Sequence, residues 1–256
     1  MGKSTKVLCY SAGMDSYCLD EIYDYDEYVF FDVDTKESGY EREMIESQIP
    51  EAHIHELNLE QFAMDNHVVP LRNAIFAILA ANYGSVIHLG GTYGDRFNVL
   101  DGDEVVADMV SSMLNYFNGV GRGVDAFPHD TDKFSVEYPF AHLTKGEILQ
   151  KTLISRFVEV DEIMSNSKTC HYGDDENGCG KCEDCFRRAG AISYVSDSRD
   201  RVDKLFDDHF RCNPFNVALN RSDKSETVSK EFDKLLRRDR EADQVVEQLD
   251  WYGDES

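Results

Sequence analysis

Two stretches of the chain bring chemically capable residues close together. The first is Ser11-Ala12-Gly13-Met14-Asp15-Ser16. It lies between an apolar run and a segment of helical composition. Small residues let a backbone approach a phosphate closely, and a helix start offers free N–H groups and the positive end of its dipole. Ser11 and Ser16 add hydroxyl groups. Asp15 would repel a phosphate unless it helped to hold a magnesium ion. The same hexamer also reads as an ordinary strand-to-helix turn with a capping Ser or Asp. It is neither a Walker A loop nor a dinucleotide fingerprint. The second stretch is Cys170-x8-Cys179-x2-Cys182-x2-Cys185. Four cysteines at this spacing suit a closed tetrahedral zinc site. Gly173, Gly178 and Gly180 permit the turns that aim several thiolates at one ion. Lys168, Lys181, Arg187 and Arg188 can offset the thiolate charge. An iron–sulfur cluster and a catalytic CxxC pair are the rival readings.

These residues need a scaffold, and the apolar pattern supplies one. Lys6–Tyr10, Tyr28–Val33, His53–Leu57 and Val86–Leu89 read as short strands. Residues 14–24, a stretch from Ser38 to Pro50, and Asn73–Tyr83 read as helices, the last apolar all round and so buried. Val105–Phe117 reads as a further helix, and Thr144 opens another with Glu147 as its capping-box partner. Strands alternating with helices predict an α/β fold, a parallel sheet with helices on both faces. Ligands of such sheets bind beyond the carboxyl ends of the strands. The loops Ser11–Ser16, Asp32–Ser38 and Gly90–Arg96 should therefore share one edge. Gly119–Asp132 reads as a loop.

The chain carries 26 Lys plus Arg against 50 Asp plus Glu, a formal charge of −24. That argues against direct binding to nucleic acid, which needs a cationic surface. No run approaches the length of a membrane span, and no signal peptide is visible, so the expected place is the cytoplasm, of a host if the source is viral. Seven cysteines with four clustered read as metal ligands in a reducing compartment. Cys9 and Cys18 read as small core residues. His53 and His55 share a strand face and read as structural. His129 and His142 have no partner legible in the sequence, and Trp251 reads as a packing or docking anchor. The organisation predicted is an α/β domain over 1–160, a zinc-binding region over 161–220 and a charged helical tail over 221–256. In the tail Phe232, Leu235, Leu236, Val245, Val246 and Leu249 recur at helical spacing.

Ser11–Ser16 resembles the SGGxDS loop of the PP-loop ATP pyrophosphatases, with Ala12 in place of a glycine. Thr169–Gly173 and Gly178–Arg187 resemble the cysteine region of one branch, the 7-cyano-7-deazaguanine synthase (QueC) family. Val69-Pro70-Leu71-Arg72-Asn73 is similar to that family's VPGRN, with Leu71 at the glycine. Tyr138-Pro139-Phe140 and Thr144–Ile148 resemble a further segment. The resemblance runs in order from about residue 6 to 195. Asp101–Val110 does not preserve the family's YPDCR-like segment, and the tail has no counterpart.

The resemblance implies a Rossmann-like fold of the adenine nucleotide alpha hydrolase type with a small zinc-binding C-terminal part. It implies ATP with Mg2+, a structural Zn2+ on Cys170, Cys179, Cys182 and Cys185, and a homodimer. The implied reaction belongs to queuosine biosynthesis. It converts 7-carboxy-7-deazaguanine and ammonia into 7-cyano-7-deazaguanine (preQ0). Ser11, Ala12, Gly13, Met14, Asp15 and Ser16 would hold pyrophosphate and magnesium, with Asn73 also at the nucleotide. Asp15, Ser16, Arg72 and Lys145 would serve the chemistry. Unaided by the resemblance, Arg72 and Asn73 read as the start of a helix and Lys145 as a solvated helix-start lysine. Alternatives within reach are an amide-forming ligase of the same kind acting on another carboxylate or stopping at the amide, a PP-loop tRNA-modifying enzyme, and an inactive zinc-stabilised binding module.

Overall fold

The structure is a computed structural model that describes residues 4–33, 38–63, 69–95, 102–120, 133–168, 170, 178–196, 198–211 and 214. His129, Trp251, Arg96 and the tail lie outside the described residues, as does the loop read at Gly119–Asp132 beyond its first two positions. Two compact units are present, Met1–His142 and Leu143–Ser256.

The first unit is built on five parallel strands, β1 (Lys6–Cys9), β2 (Glu27–Asp32), β3 (His53–Glu56), β4 (Val86–Leu89) and β5 (Ser135–Glu137), in the order β3-β2-β1-β4-β5. The helices between them are α1 (Met14–Ile22), α2 (Ser38–Gln48), α3 (Arg72–Ala80) and α4 (Glu104–Val120). Parallel pairing forces each return through a crossover, so helices cover the sheet. Alternation along β1 divides the core. Val7 and Cys9 join Val29, Phe31, Ile87 and Leu89 in a cluster with Ala77 and Ala80 of α3 and Ala107, Val110 and Leu114 of α4. Leu8 and Phe30 are buried on the opposite face, which α1 and α2 cover. Burial pushes the Cys9 thiol up to about 12, so it is an inert core group, as its position in the sequence suggested. Cys18 is likewise buried.

Three details depart from the sequence expectation or extend it. α3 is buried at Ala77 and Ala80 but only half-buried on its other faces, because one side alone meets the sheet. β5 adds a strand that the sequence pattern did not reveal. Asn115 fixes it from α4, accepting from the Phe134 N–H at 2.7 Å and donating to the Phe134 carbonyl at 2.8 Å. The histidines of β3 are structural. His53 pairs with Glu27 at 2.9 Å and stacks on Tyr83, while His55 meets the Tyr83 hydroxyl at 2.5 Å. His142 finds a partner in Glu104 at 3.1 Å.

A part-buried polar relay runs through His88 of β4, itself buried. Burial holds the Tyr25 phenol protonated, so its O–H donates to Nδ1 of His88 at 2.9 Å. Nε2 of the neutral ring then donates towards Glu137, 3.2 Å away. Burial lowers the His88 pKa, and Glu137 opposes the shift only in part. The unfolded imidazole, titrating near about 6.5, therefore takes up its proton before the folded one does. The stability this gives is complete above that value and is lost as pH falls through the folded pKa. Thermal unfolding of the protein should drop more steeply between pH 7.5 and 5.5 than that of His88→Gln, and equal slopes would remove His88 as the cause.

The second unit holds α5 (Lys145–Arg156), α6 (Val160–Ser165), α7 (Glu183–Val195) and α8 (Arg199–His209). α5 begins with the expected capping box: Glu147 N–H donates to Thr144 Oγ1 at 3.3 Å, and Thr144 N–H donates to Glu147 Oε2 at 2.8 Å. α5 and α7 pack closely, with Gly146 against Tyr194. A β-carbon at Gly146 would fall 2.8 Å from that ring. Among the described residues no helix is long and apolar enough to cross a membrane.

Candidate active site and metal centre

β1 and β4 are neighbours, yet the chain leaves β1 towards β2 and β4 towards β5. The connections part at this point and leave a gap beyond the two carboxyl ends, the usual ligand position of an open parallel sheet. Two loops border it, Ser11–Gly13 after β1 and the segment from Gly90 after β4. The backbone of Gly90 lies alongside the start of α1. A β-carbon there would sit 3.5 Å from the Ser16 nitrogen and 3.6 Å from the Asp15 β-carbon. A longer side chain would stand over the helix end. Gly91 is required by packing, since a β-carbon would fall 2.7 Å from the Tyr138 ring. Beyond it, the Asp95 carboxylate accepts from Thr92 N–H at 2.8 Å and from Thr92 Oγ1 at 2.9 Å, which pins the second loop.

The first loop is folded on itself. Ser11 N–H donates to Ser16 Oγ at 3.2 Å, and Ser16 Oγ donates to the Gly13 carbonyl at 3.0 Å. Gly13 is the N-cap of α1 and has no side chain to lay over the helix end, the kind of position where an anion meets backbone N–H groups. Ala12 and Met14 are buried beneath, and Asp15 lies in the first turn. Ala12 adopts φ 53°, a left-handed conformation that costs an alanine more than a glycine. The loop thus takes the shape a glycine would allow and carries the strain. Ala12→Gly should raise stability by about 1 kcal/mol, because relief of the left-handed strain outweighs the added freedom of the unfolded chain. A urea unfolding midpoint that fails to rise would refute that account.

Leu71 repeats the pattern. It precedes α3 at φ 59°, again where the resembled motif has glycine, and its side chain is 61 % exposed. A short turn joins the end of α3 to β4, so the helix start, with Arg72 and Asn73, lies towards the carboxyl edge of the sheet. The Arg72 guanidinium lies 5.8 Å from the Phe76 ring centre, and Phe76 stacks on Phe31 of β2. Among the described residues the buried Nε of Arg72 has no hydrogen-bond partner, a cost that a bound acceptor would remove. Lys145 belongs to the second unit, at the first turn of α5. It is only 5 % exposed, so the solvated-lysine reading fails.

The four cysteines do converge. Their sulfurs all lie within 4.8 Å of one another, with Cys170–Cys182 at 4.0 Å and Cys179–Cys185 at 3.9 Å. Zinc–thiolate bonds of about 2.3 Å in a tetrahedron require sulfurs about 3.8 Å apart. The set therefore fits one tetrahedral ion. A polynuclear iron–sulfur cluster would spread its ligands further. Backbone donors support the sulfurs, from Cys179 N–H to Cys170 at 3.2 Å and from Lys181 N–H to Cys179 at 3.3 Å. Gly180 makes the turn at φ 70°. Gly178 is held by packing, since a β-carbon there would lie 3.1 Å from Cys185 Sγ and 2.9 Å from the Phe210 ring. It also pairs with the end of α8, through Gly178 N–H to His209 O and Arg211 N–H to Gly178 O. Arg188 has a role other than offsetting thiolate charge. Its guanidinium donates to the Met164 and Ser167 carbonyls and so caps the end of α6.

Thr92, Asp95 and Tyr138 shape the second loop, and the sequence reading assigned them no role. The signal available was weak: a Thr-x-x-Asp spacing that makes a side-chain-to-backbone turn. Tyr138 is distant in sequence from Gly91, so nothing local marks their contact.

The family model described as QueC, queuosine biosynthesis protein QueC, matches residues 27–195. The chain is 28% identical over 149 residues to a 7-cyano-7-deazaguanine synthase of Marinomonas sp. (strain MWYL1), covering 58% of this chain and 59% of that protein. It is 26% identical over 152 residues to a protein of the same name from Chlorobium phaeobacteroides (strain BS1), covering 59% and 61%. It is 31% identical over 154 residues to another from Methanoregula boonei (strain DSM 21154 / JCM 14090 / 6A8), covering 56% and 60%. The chain thus spans about three fifths of the length of each of these relatives.

Proposed function

This chain belongs to the QueC family, and on that premise we propose that it is an ATP-dependent carbon–nitrogen ligase converting 7-carboxy-7-deazaguanine and ammonia into 7-cyano-7-deazaguanine. The observation that carries the reading is the pair of loops, Ser11–Ser16 and Gly90–Asp95, meeting at the gap between β1 and β4. In this proposal the substrate carboxylate attacks the α-phosphorus of ATP. The bond to the β-phosphate oxygen breaks and pyrophosphate leaves. Ammonia then adds to the acyl carbon, loses a proton and displaces AMP, giving the amide. The amide oxygen attacks a second ATP in the same way. Loss of AMP and of the remaining amide protons leaves the nitrile.

The protein's share is positioning and charge stabilisation. The α1 backbone donors, Ser11 and Ser16 hold the departing pyrophosphate, with Ala12, Gly13 and Met14 forming the wall. Asp15 holds magnesium, which neutralises phosphate charge when bound. Asn73 lies at the nucleotide, Arg72 offers its buried Nε to a phosphate or carboxylate oxygen, and Lys145 meets the α-phosphate or the acid. Cys170, Cys179, Cys182 and Cys185 hold a zinc ion whose part is structural, since four thiolates leave it no open position. Work in the cytoplasm follows from this reading.

A second reading keeps the adenylation and changes the acid or stops at the amide. Leu71, projecting at the start of α3, and the divergent Asp101–Val110 stretch favour it. Mass spectrometry after incubation with ATP, magnesium, ammonia and 7-carboxy-7-deazaguanine separates the two. A nitrile with AMP release is the expected result. The amide alone would move the function to the second reading. Exchange of pyrophosphate into ATP with some other acid, and no product here, would overturn the substrate assignment.

A further inference from the structure

Leu71 takes a backbone conformation that its place in the fold does not call for. A helix N-cap is normally extended, and Gly13, Thr144, Glu159, Cys182 and Ser198 are extended at the starts of α1, α5, α6, α7 and α8. Leu71 caps α3 in the left-handed region instead, at φ 59° and ψ 19°. Phe157 is also left-handed, but it ends α5, and helices commonly end in that conformation. The backbone of Leu71 is tied into the fold. Its carbonyl accepts from Ile75 N–H at 3.0 Å, and the next N–H, that of Arg72, donates to the carbonyl of the buried Val69 at 3.3 Å. Its side chain gains little burial in return for the strain and stands in solvent at the carboxyl edge of the sheet. A strained and exposed residue that packing does not require points to a function.

The neighbouring residue narrows what meets that side chain. Arg72 follows Leu71 at the start of α3, with its guanidinium 5.8 Å from the Phe76 ring centre. Its Nε is buried and, among the described residues, has no hydrogen-bond partner. A ligand that brought an acceptor oxygen to this N–H would lie at the same helix start as the leucine. A carboxylic acid carried on a flat ring has both parts, an oxygen for the arginine and an apolar face for the leucine. A small aliphatic acid has the oxygen and almost no face. Covering a ring face with a leucine removes apolar surface of both from water, a gain in proportion to the area covered.

We propose that Leu71 is a specificity-determining residue whose side chain lies against the ring of the acid to be activated, so that the site selects planar heteroaromatic acids over small aliphatic ones. The proposal rests on the adenylation common to both readings above, and not on which of them holds. Exchange of pyrophosphate into ATP tests it, with a panel of planar heteroaromatic acids that includes 7-carboxy-7-deazaguanine, and with acetate as the small acid. Leu71→Gly should raise the KM for the ring acid roughly tenfold, the scale of a lost apolar contact in a binding pocket. The kcat and the KM for ATP should stay as they are, because the contact is made equally before and during the reaction. The preference over acetate should fall by the same factor. Leu71→Asn separates the contact from the backbone, since asparagine tolerates the left-handed conformation at similar size but offers no apolar face. It should match Leu71→Gly, while Leu71→Met should keep most of the affinity. The Gly and Asn variants should melt no lower than the unsubstituted chain, which removes misfolding as the cause. An unchanged KM for the ring acid in the folded Gly and Asn variants would overturn the proposal. So would a rise of equal size in the KM for ATP. An unsubstituted chain that supports exchange with no acid at all would fail the adenylation reading itself, and the proposal with it.

Discussion

Asp15→Ala should lower release of pyrophosphate from ATP on the order of a thousandfold or more, as expected for loss of a metal-held charge worth several kcal/mol in the transition state. The side chain lies in the first turn of α1, beside the Gly90 backbone, at the gap where the sheet's connections part. An acidic group at a helix start contributes on the order of 1 kcal/mol, and the bonds of Ser11, Gly13 and Ser16 that shape the loop do not involve its carboxylate. Thermal unfolding should therefore change little while turnover disappears. Asp15→Asn should fail nearly as completely, because a neutral amide is a poor magnesium ligand. If either variant turns over ATP at the normal rate, the pyrophosphate-loop reading of Ser11–Ser16 is wrong. A collapse of stability with activity would instead give Asp15 a structural role.

The parts of this site legible in the sequence were those whose chemistry is local. A buried strand, a run of small residues and a helix start lie within about a dozen positions, so β1, the loop and α1 could be read directly. The four cysteines were legible for the same reason, and so was the capping box of Thr144 and Glu147. What escaped depends on tertiary neighbours. β5 is three residues long, too short to show a period, and α4 fixes it through Asn115. The Tyr25–His88 bond joins residues 63 positions apart. Arg188 follows the cysteines in sequence, but its helix turns it towards the carbonyls of α6. Ala12 and Leu71 teach a subtler lesson. Residue type argued against a left-handed backbone at both, yet the surrounding structure imposes it, so the glycine-shaped loops persist without their glycines.

Cys182→Ser should abolish zinc binding and cooperative folding of the second unit together. Cys182 is buried at the N-terminal end of α7, and its sulfur lies 4.0 Å from that of Cys170. Serine would replace a thiolate by a weak neutral donor and leave three sulfurs around a site built for four. The free energy of a structural zinc site, about 10 kcal/mol or more in isolated zinc modules, exceeds the whole stability of many domains. The loss would spread through identifiable contacts. The cysteine segment is tied to α8 through Gly178 and Phe210, and α7 packs along α5. Zinc content should fall from one per chain to none, and the variant should aggregate or lose its thermal transition. A chelator strong enough to strip the unsubstituted protein should reproduce both effects, since the ion and not the thiol is the cause. If Cys182→Ser stays folded, soluble and zinc-bound but loses activity, the cysteines act as catalytic thiols. If it stays folded without zinc, the metal does not hold the unit together, and the packing of α5, α7 and α8 suffices by itself.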